Sequence, residues 1–581
     1  MSDIFSCLTD IYGDDVAVSV FERLESLLEQ YSGQLGIRKK QLNQRNVGRL
    51  SQQDSILITY GDQVRDSSGS PLRVLLDFCN QQLLGVVSGI HILPFFPYSS
   101  DDGFSVIDYR QVNPDLGSWE EVSRLGQNFR LMFDLVINHA SAQSEWFQAF
   151  LQAHPRYADY FIVMEGNPDL SQVVRPRTSP LLTRFETASG VKAVWTTFSA
   201  DQIDLNYHNP EILLEIIDIL LFYVVRGAEF IRLDAIAYLW KEIGTPCLHH
   251  SRTHRLVQLL RAILDQSAPW VGLITETNVP HVDNISYFGD GKNEAQLVYN
   301  FALPPLVLHT FHTGDSRQLS NWASTLSLPS DRTTFFNFLA SHDGIGINPA
   351  RGILSEPEIQ VLVDRTTVHG GYVSSKSNPD GSSSPYELNI DYFDALSDPG
   401  GNEPENLQID RFLCAQAIML SLVGVPGIYF HSLFGSRGWL EGVKITGQNR
   451  TINRQKLEKT SLEAELSDPS SLRSRVFGRY QQLLKARASS PAFDPHGSQR
   501  VMEYGNSIFA LLRIGGDPGQ RVLCLHNITA SPQTIALDLW AFSKSEFTDL
   551  ISGQAFPSSN KLIIPMRPYQ VLWLLIESMT K

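Results

Sequence analysis

Ile231-Arg232-Leu233-Asp234-Ala235 ends an apolar run that starts at Leu220-Leu221-Phe222-Tyr223-Val224-Val225 and resumes at Phe230. A run of this kind suits a helix packed on a buried strand. Alternation along the strand puts Arg232 and Asp234 on one face. A guanidinium beside a buried carboxylate favours the ionised form, so the pentapeptide predicts a lowered pKa for Asp234. An oriented, ionised carboxylate suits a covalent nucleophile. A structural Arg–Asp pair at a strand end would satisfy the same five residues, and the rest of the chain has to decide between the two.

Outward from this stretch, short apolar runs alternate with amphipathic ones. Strands are expected at 55–59, 87–93, 130–137, 227–233, 271–276 and 333–339, and helices at 71–84, 118–128, 209–225 and 251–266. Strands alternating with helices indicate an α/β fold with parallel strands, and their number and the chain length favour a (β/α)8 TIM barrel. Polar residues gather at the carboxyl ends of these strands: Asp62, His91, Asn138, His139, Asp234, Glu276, His342 and Asp343. A barrel of this type builds its active site on that face. Six strand ends carrying such residues point to an enzyme.

Residues 1–53 read as a polar helical cap, with Val18, Phe21, Leu24, Leu27 and Leu28 at helical spacing. The barrel is expected over 54–491, with two insertions. Residues 140–200 break the rhythm and carry Pro155, Pro168, Pro176 and Pro180, which suggests a loop-rich subdomain. Residues 350–405 are rich in Ser, Asn, Asp, Pro and Gly around Tyr386 and Tyr392, and read as a long irregular stretch, a functional loop or disorder. From 492 to 581 the runs 507–512, 521–525 and 569–574 read as strands between turns, hence a C-terminal all-β domain.

The chain has 581 residues, 43% of them hydrophobic, and a net charge of −15 with both signs interspersed. That balance argues against nucleic acid as a partner. Five cysteines lie far apart with no metal spacing, which suits reduced thiols in a cytoplasmic protein. The N-terminus lacks a signal-peptide pattern and no apolar segment is long enough for a bilayer, so no membrane partner is expected.

Four segments then fit together. Asp134-Leu135-Val136-Ile137-Asn138-His139, Arg232-Leu233-Asp234, Glu276 after Leu273-Ile274-Thr275, and Ser341-His342-Asp343 occur in this order at barrel spacing. Together they resemble the four signature regions of the α-amylase superfamily of glycoside hydrolases, over nearly the whole chain. The resemblance implies Asp234 as nucleophile, Glu276 as general acid/base and Asp343 as the carboxylate that steadies the transition state. It implies His139 and His342 as sugar-hydroxyl contacts and Arg232 as the residue orienting Asp234.

A narrower resemblance is carried by His91-Ile92-Leu93-Pro94-Phe95-Phe96, Arg175-Pro176-Arg177, Gln202-Ile203-Asp204-Leu205-Asn206, Phe301-Ala302-Leu303-Pro304-Pro305 and His342-Asp343-Gly344-Ile345-Gly346. These are similar to the sucrose phosphorylase group, in which phosphate rather than water resolves the glucosyl-enzyme. That likeness implies a glucose pocket closed by an Asp62–Arg454 pair and an acceptor loop at Tyr386-Glu387-Leu388-Asn389. The wording of that loop, and of Arg450-Thr451-Ile452-Asn453-Arg454, is more similar to relatives that phosphorolyse glucosylglycerate. Such relatives need cations near the acceptor carboxylate. Arg450 and Arg437 are candidates, with a solvated surface role as the alternative for each. The expected partners are therefore a small α-glucoside and inorganic phosphate, with no cofactor and no metal, in a monomer or homodimer. Sucrose phosphorolysis, hydrolysis and transglucosylation by the same carboxylates remain alternatives. Asn138 reads as a structural hydrogen-bonder or a calcium ligand, and His91 as a sugar contact or a satisfied barrel histidine. Tyr386 could be a packing aromatic, and Trp240 reads as core. Gly344-Ile345-Gly346 reads as a turn.

Overall fold

Eight parallel strands close a barrel in chain order: Ile56–Thr59, Gly89–Ile92, Arg130–Val136, Ala228–Asp234, Gly272–Thr275, Leu297–Tyr299, Thr334–Asn337 and Val425–Tyr429. The computed structural model describes residues 2–44, 49–378, 380–516, 519–538, 546–556 and 561–577. Residues 1 and 45–48 of the expected cap, residue 379 of the second insertion, and 517–518, 539–545, 557–560 and 578–581 of the C-terminal segment lie outside the described residues.

Six of the eight strands match the runs read from the sequence. The other two escape for local reasons. Leu297–Tyr299 is only three residues long. Val425–Tyr429 contains Pro426 and Gly427, which argue against a strand when read in isolation. The barrel needs that glycine, because a Cβ at Gly427 would lie 2.4 Å from the Phe336 ring that fills the interior.

Helices cover the barrel outside. Pro210–Val225 starts with Asn209, whose side chain accepts from the Glu211 N–H at 3.0 Å, and with proline at its first position. Most of its side chains are buried, each Leu or Ile contributing about 1.5–3 kcal/mol. This helix delivers the chain to the fourth strand. There Arg232 sits in register with Asp134 on one side and Ile274 on the other. Two N-terminal helices, Ser2–Tyr12 and Asp14–Gln44, pack on Ser251–Ser267 and Pro210–Val225. Tyr31 OH donates to Asp218 Oδ1 at 2.7 Å, and Tyr12 OH to the Tyr207 carbonyl at 3.0 Å.

Both insertions are more regular than their composition predicts. Within 140–200, strands Leu182–Thr187, Gly190–Trp195 and Val163–Met164 form an antiparallel sheet. Beside it, His139–Ser141 pairs with Gln202–Asp204. The stretch 350–405 is not irregular. It holds a helix, Glu356–Val368, opened by a Ser355/Glu358 capping box. A hairpin follows, Tyr372–Ser377 with Ser383–Asn389, and then a short helix, Tyr392–Leu396. Its turn-forming residues are concentrated at the hairpin tip and around 397–404, which biased the average composition. Beyond Phe493 the strands Ser498–Met502, Ile508–Gly515, Gln520–Asn527, Val571–Glu577, Glu546–Asp549 and Ala555–Phe556 make one sheet, with Gln533–Asp538 and Lys561–Met566 paired beside it. Among the described residues no helix is long and apolar enough to cross a membrane.

Candidate active site

Asp234 is the last residue of the fourth strand, and Glu276 directly follows the fifth. Asp343 lies on the segment after the seventh. All three reach one cleft of about 590 Å³, shared with His139, His342, Phe104, Phe198, Tyr238, Tyr386, Arg177 and Arg450. Arg232 rises behind them from inside the barrel. It donates through Nη1 to Asp134 and, at 2.9 Å, to Asp234 Oδ1, and its Nη2 lies 3.9 Å from Glu276 Oε2. Ala235 takes a left-handed conformation at φ +49°, unusual for a residue with a Cβ. That bend aims its N–H at Glu276 Oε2, 3.0 Å away, tying the fourth strand to the fifth.

Burial raises the pKa of Asp234 to about 6; Arg232 opposes this, and the charges of Asp134 and Asp343 add to it. The arginine does lower the value, as its position predicted, but loss of water outweighs it, so the expected net lowering is corrected. Burial also raises Glu276, to about 7, against Arg232 and with Asp234 and Asp343. For Asp343 burial is overcome by the guanidiniums of Arg450, Arg454, Arg232 and Arg177, which hold it below the usual carboxylate range. Burial and the surrounding arginines hold His342 far below its ordinary value, so it is neutral; burial lowers His139 too. Near neutral pH the cleft can thus hold a charged Asp343, an ionised Asp234 and a protonated Glu276. Such a set can run nucleophilic attack and proton donation at one carbon.

His342 stacks on Phe104 with ring centroids 4.7 Å apart, and His139 Nε2 lies 2.9 Å from the Phe104 carbonyl. Tyr386 lies 5.6 Å from the Arg177 guanidinium, which also faces Phe198. Glu387, next to Tyr386, bonds Arg450 instead of facing the cleft. Four other residues expected at the site lie off the cleft. His91 is buried, with Nε2 2.6 Å from Asp134 Oδ2 on the barrel's inner wall and Nδ1 without a partner among the described residues. Asn389 donates to Ser374 Oγ at 2.9 Å, inside the hairpin. Asp62 is not paired with Arg454. It is held by Arg65 and, at 2.8 Å, by Lys456. Arg454 instead bonds the His342 carbonyl at 2.9 Å and Asp102 Oδ2 at 2.8 Å. The loop at 101–103, with three consecutive positive φ angles, places Asp101 and Asp102 beside that guanidinium.

Arg450 is not a solvated surface residue: its Nη1 lies 2.6 Å from Asp343 Oδ1 in the cleft wall. Arg437 points elsewhere, to Asp394 and Gln408, over the Phe393 ring. Gly344-Ile345-Gly346 is not a turn. Ile345–Gly346 pairs antiparallel with Leu388 and Glu387. Glycine is required there, since a Cβ at Gly344 would lie 2.5 Å from the Leu388 carbonyl and one at Gly346 2.5 Å from Asn278.

Several residues at the cleft escaped sequence reasoning. Phe104, Phe198 and Asp101 lie on loops without periodic signal. Arg177 lies in Arg175-Pro176-Arg177, whose resemblance was the available signal. Lys241 follows the Asp234 segment, and its Nζ lies 2.5 Å from Asp204 Oδ2 and 2.7 Å from Asn138 Oδ1. An ammonium thus engages the oxygens that a cation would use, and Asn138 makes structural hydrogen bonds. Trp240 is buried against His208.

The sequence was compared with known proteins. The profile described as "Alpha amylase, catalytic domain" matches residues 79–344, and "Maltogenic Amylase, C-terminal domain" matches 499–573. A glucosylglycerate phosphorylase of Spirochaeta thermophila is 51% identical over 577 residues, covering 98% of this chain and 97% of the relative. A sucrose phosphorylase of Agrobacterium vitis is 32% identical, covering 75% and 88%. The crystal structure of sucrose 6F-phosphate phosphorylase from Thermoanaerobacter thermosaccharolyticum superposes with a TM-score of 0.70 at 26% identity, covering 82% of this chain and 94% of that one. With its barrel, its C-terminal sheet and this end-to-end likeness, the chain belongs to the α-amylase family, in the group that holds the glucosylglycerate and sucrose phosphorylases.

Proposed function

We propose that this protein is a retaining phosphorylase that moves a glucosyl group from glucosylglycerate to inorganic phosphate. In the first step an Asp234 oxygen attacks the anomeric carbon, the glycosidic bond breaks, and Glu276 gives its proton to the departing glycerate oxygen. In the second, Glu276 takes a proton from phosphate, whose oxygen displaces Asp234 and leaves α-glucose 1-phosphate. Two inversions at one carbon retain the α configuration. Asp343 holds glucosyl hydroxyls and faces the developing positive charge. Neutral His139 and His342 bond the same sugar, and Arg232 orients Asp234. Tyr386 borders the acceptor side. His91, through Asp134, and Arg454, through the His342 carbonyl, act from behind the wall. Five unpaired, buried cysteines suit a cytoplasmic enzyme.

The observation that carries this reading is the guanidinium of Arg177, which faces Phe198 and Tyr386 in the same cleft as Asp234 and Glu276. Both acceptors, glycerate and phosphate, are anions that a guanidinium group recognises, whereas water needs no cation. The full-length likeness to a glucosylglycerate phosphorylase supports glycerate over fructose as the acceptor. The test is release of glucose 1-phosphate and of free glucose from glucosylglycerate, sucrose, sucrose 6′-phosphate and glucosylglycerol, with and without phosphate. Phosphate-dependent glucose 1-phosphate is expected, with the highest kcat/KM on glucosylglycerate. A higher value on sucrose would transfer the assignment to that substrate. Free glucose at an equal rate without phosphate would make the protein a hydrolase.

A pH profile follows from the two raised carboxyls. Activity needs Asp234 without its proton and Glu276 with one. It should fall as pH drops through about 6 and as pH rises through about 7, giving a narrow bell in kcat/KM. With α-glucosyl fluoride, whose leaving group needs little acid help, the alkaline limb of glucosylation should weaken. An alkaline limb equally steep for both donors would assign that titration to another group.

A further inference from the structure

Asp343 and Glu387 flank one guanidinium, and they hold it differently. Arg450 donates Nε to Glu387 Oε1 at 3.0 Å and Nη2 to Glu387 Oε2 at 2.6 Å, a two-pronged grip. Its Nη1 lies 2.6 Å from Asp343 Oδ1, but as an ion pair without an in-line hydrogen bond. No donor among the described residues is in line with that buried oxygen. Glu387 is itself buried, and its Oε1 also accepts from the Gly344 N–H at 3.1 Å, one residue past Asp343. The hairpin strand Ser383–Asn389 and the short strand after Asp343 are therefore bound through backbone, carboxylate and guanidinium in one ring.

We infer that Glu387 is a positioning residue that acts on Asp343 through Arg450, not an acceptor contact. Its grip fixes where the guanidinium points. The positive charge stays beside the buried Asp343 Oδ1, while the exposed part of the carboxylate is left to accept a glucosyl hydroxyl. Without Glu387 the guanidinium is free to turn its donors onto Asp343 and compete with the sugar for the exposed part of the carboxylate. The hairpin that borders the acceptor thereby helps set up the glucosyl site. This inference rests on the glucosyl-transfer reading above.

The measurement is the rate of glucosyl-enzyme formation from α-glucosyl fluoride, a step that involves neither glycerate nor phosphate. Glu387→Gln should slow it about 10- to 100-fold, the span expected when charge-assisted hydrogen bonds are lost. In an Arg450→Gln background the same substitution should change the rate by less than about threefold, because the groups act as a unit. Arg450→Lys, a point charge that cannot grip two carboxylates at once, should also be slow, and it serves if Glu387→Gln does not fold. A Glu387→Gln variant with wild-type glucosylation and a raised KM for glycerate or phosphate alone would overturn the inference and make Glu387 an acceptor contact. Equal losses in both backgrounds would overturn it as well. If the wild type reacts with neither α-glucosyl fluoride nor any α-glucoside of the panel, the glucosyl reading falls and takes this inference with it. A reactive wild type beside an equally reactive Glu387→Gln sinks the inference alone.

Discussion

Asp234→Ala abolishes turnover: kcat falls by about ten-thousand-fold or more, on glucosylglycerate and on α-glucosyl fluoride alike. Its melting temperature stays at or above that of the wild type. Alanine leaves no oxygen to bond the anomeric carbon, so a good leaving group gives no rescue. Stability survives because the carboxylate's burial works against the fold. Its pKa is raised to about 6, so the ionised group is less favoured in the folded chain than in the unfolded one. A carboxyl raised in this way adds stability only at acid pH and loses it as pH climbs through about 6. Any gain from its removal should therefore be larger above neutrality than in acid. Arg232 keeps Asp134 as its partner. Turnover assays beside thermal melts at two pH values check both halves. Activity within about a hundredfold of wild type would remove Asp234 from the nucleophile's role.

Glu276→Gln splits the substrates. Turnover of glucosylglycerate drops by about a hundred- to ten-thousand-fold, because an alkoxide must leave without a proton. Glucosylation by α-glucosyl fluoride stays within about tenfold of wild type, since fluoride departs without help. Glutamine still offers an oxygen to the Ala235 N–H, so the link between the fourth and fifth strands persists. The alkaline limb of the pH profile should vanish with the carboxyl. Rapid-mix kinetics with both donors decide the matter. Equal losses on good and poor leaving groups would remove the acid role from Glu276.

Legibility followed periodicity. The helix Pro210–Val225 and the strand Ala228–Asp234 were visible because burial on both faces writes long apolar runs. The strand around Gly427 was not, because what makes glycine necessary there is the ring of Phe336, distant in sequence. The hairpin Tyr372–Asn389 was hidden by the average composition of its turn, although Tyr386 and Glu387 stood out through resemblance. The carboxylates Asp234, Glu276 and Asp343 end or follow recognisable runs, as Asp62 does, and resemblance to the α-amylase signature regions singled them out. The pairing of Asp62 with Arg454 failed because it supposed a partner that the loop at 101–103 supplies instead.

By itself, then, the sequence determined the barrel and the order of its strand ends, since alternation and apolar spacing are local properties of the chain. Only the tertiary structure decided how the groups at those ends are charged and aimed. Burial outweighs the arginine at Asp234, and Arg450 is turned from a surface cation into a bridge between Asp343 and Glu387. Both outcomes depend on how much water is excluded and on which distant carboxylate comes within reach, and neither quantity is set by neighbours along the chain.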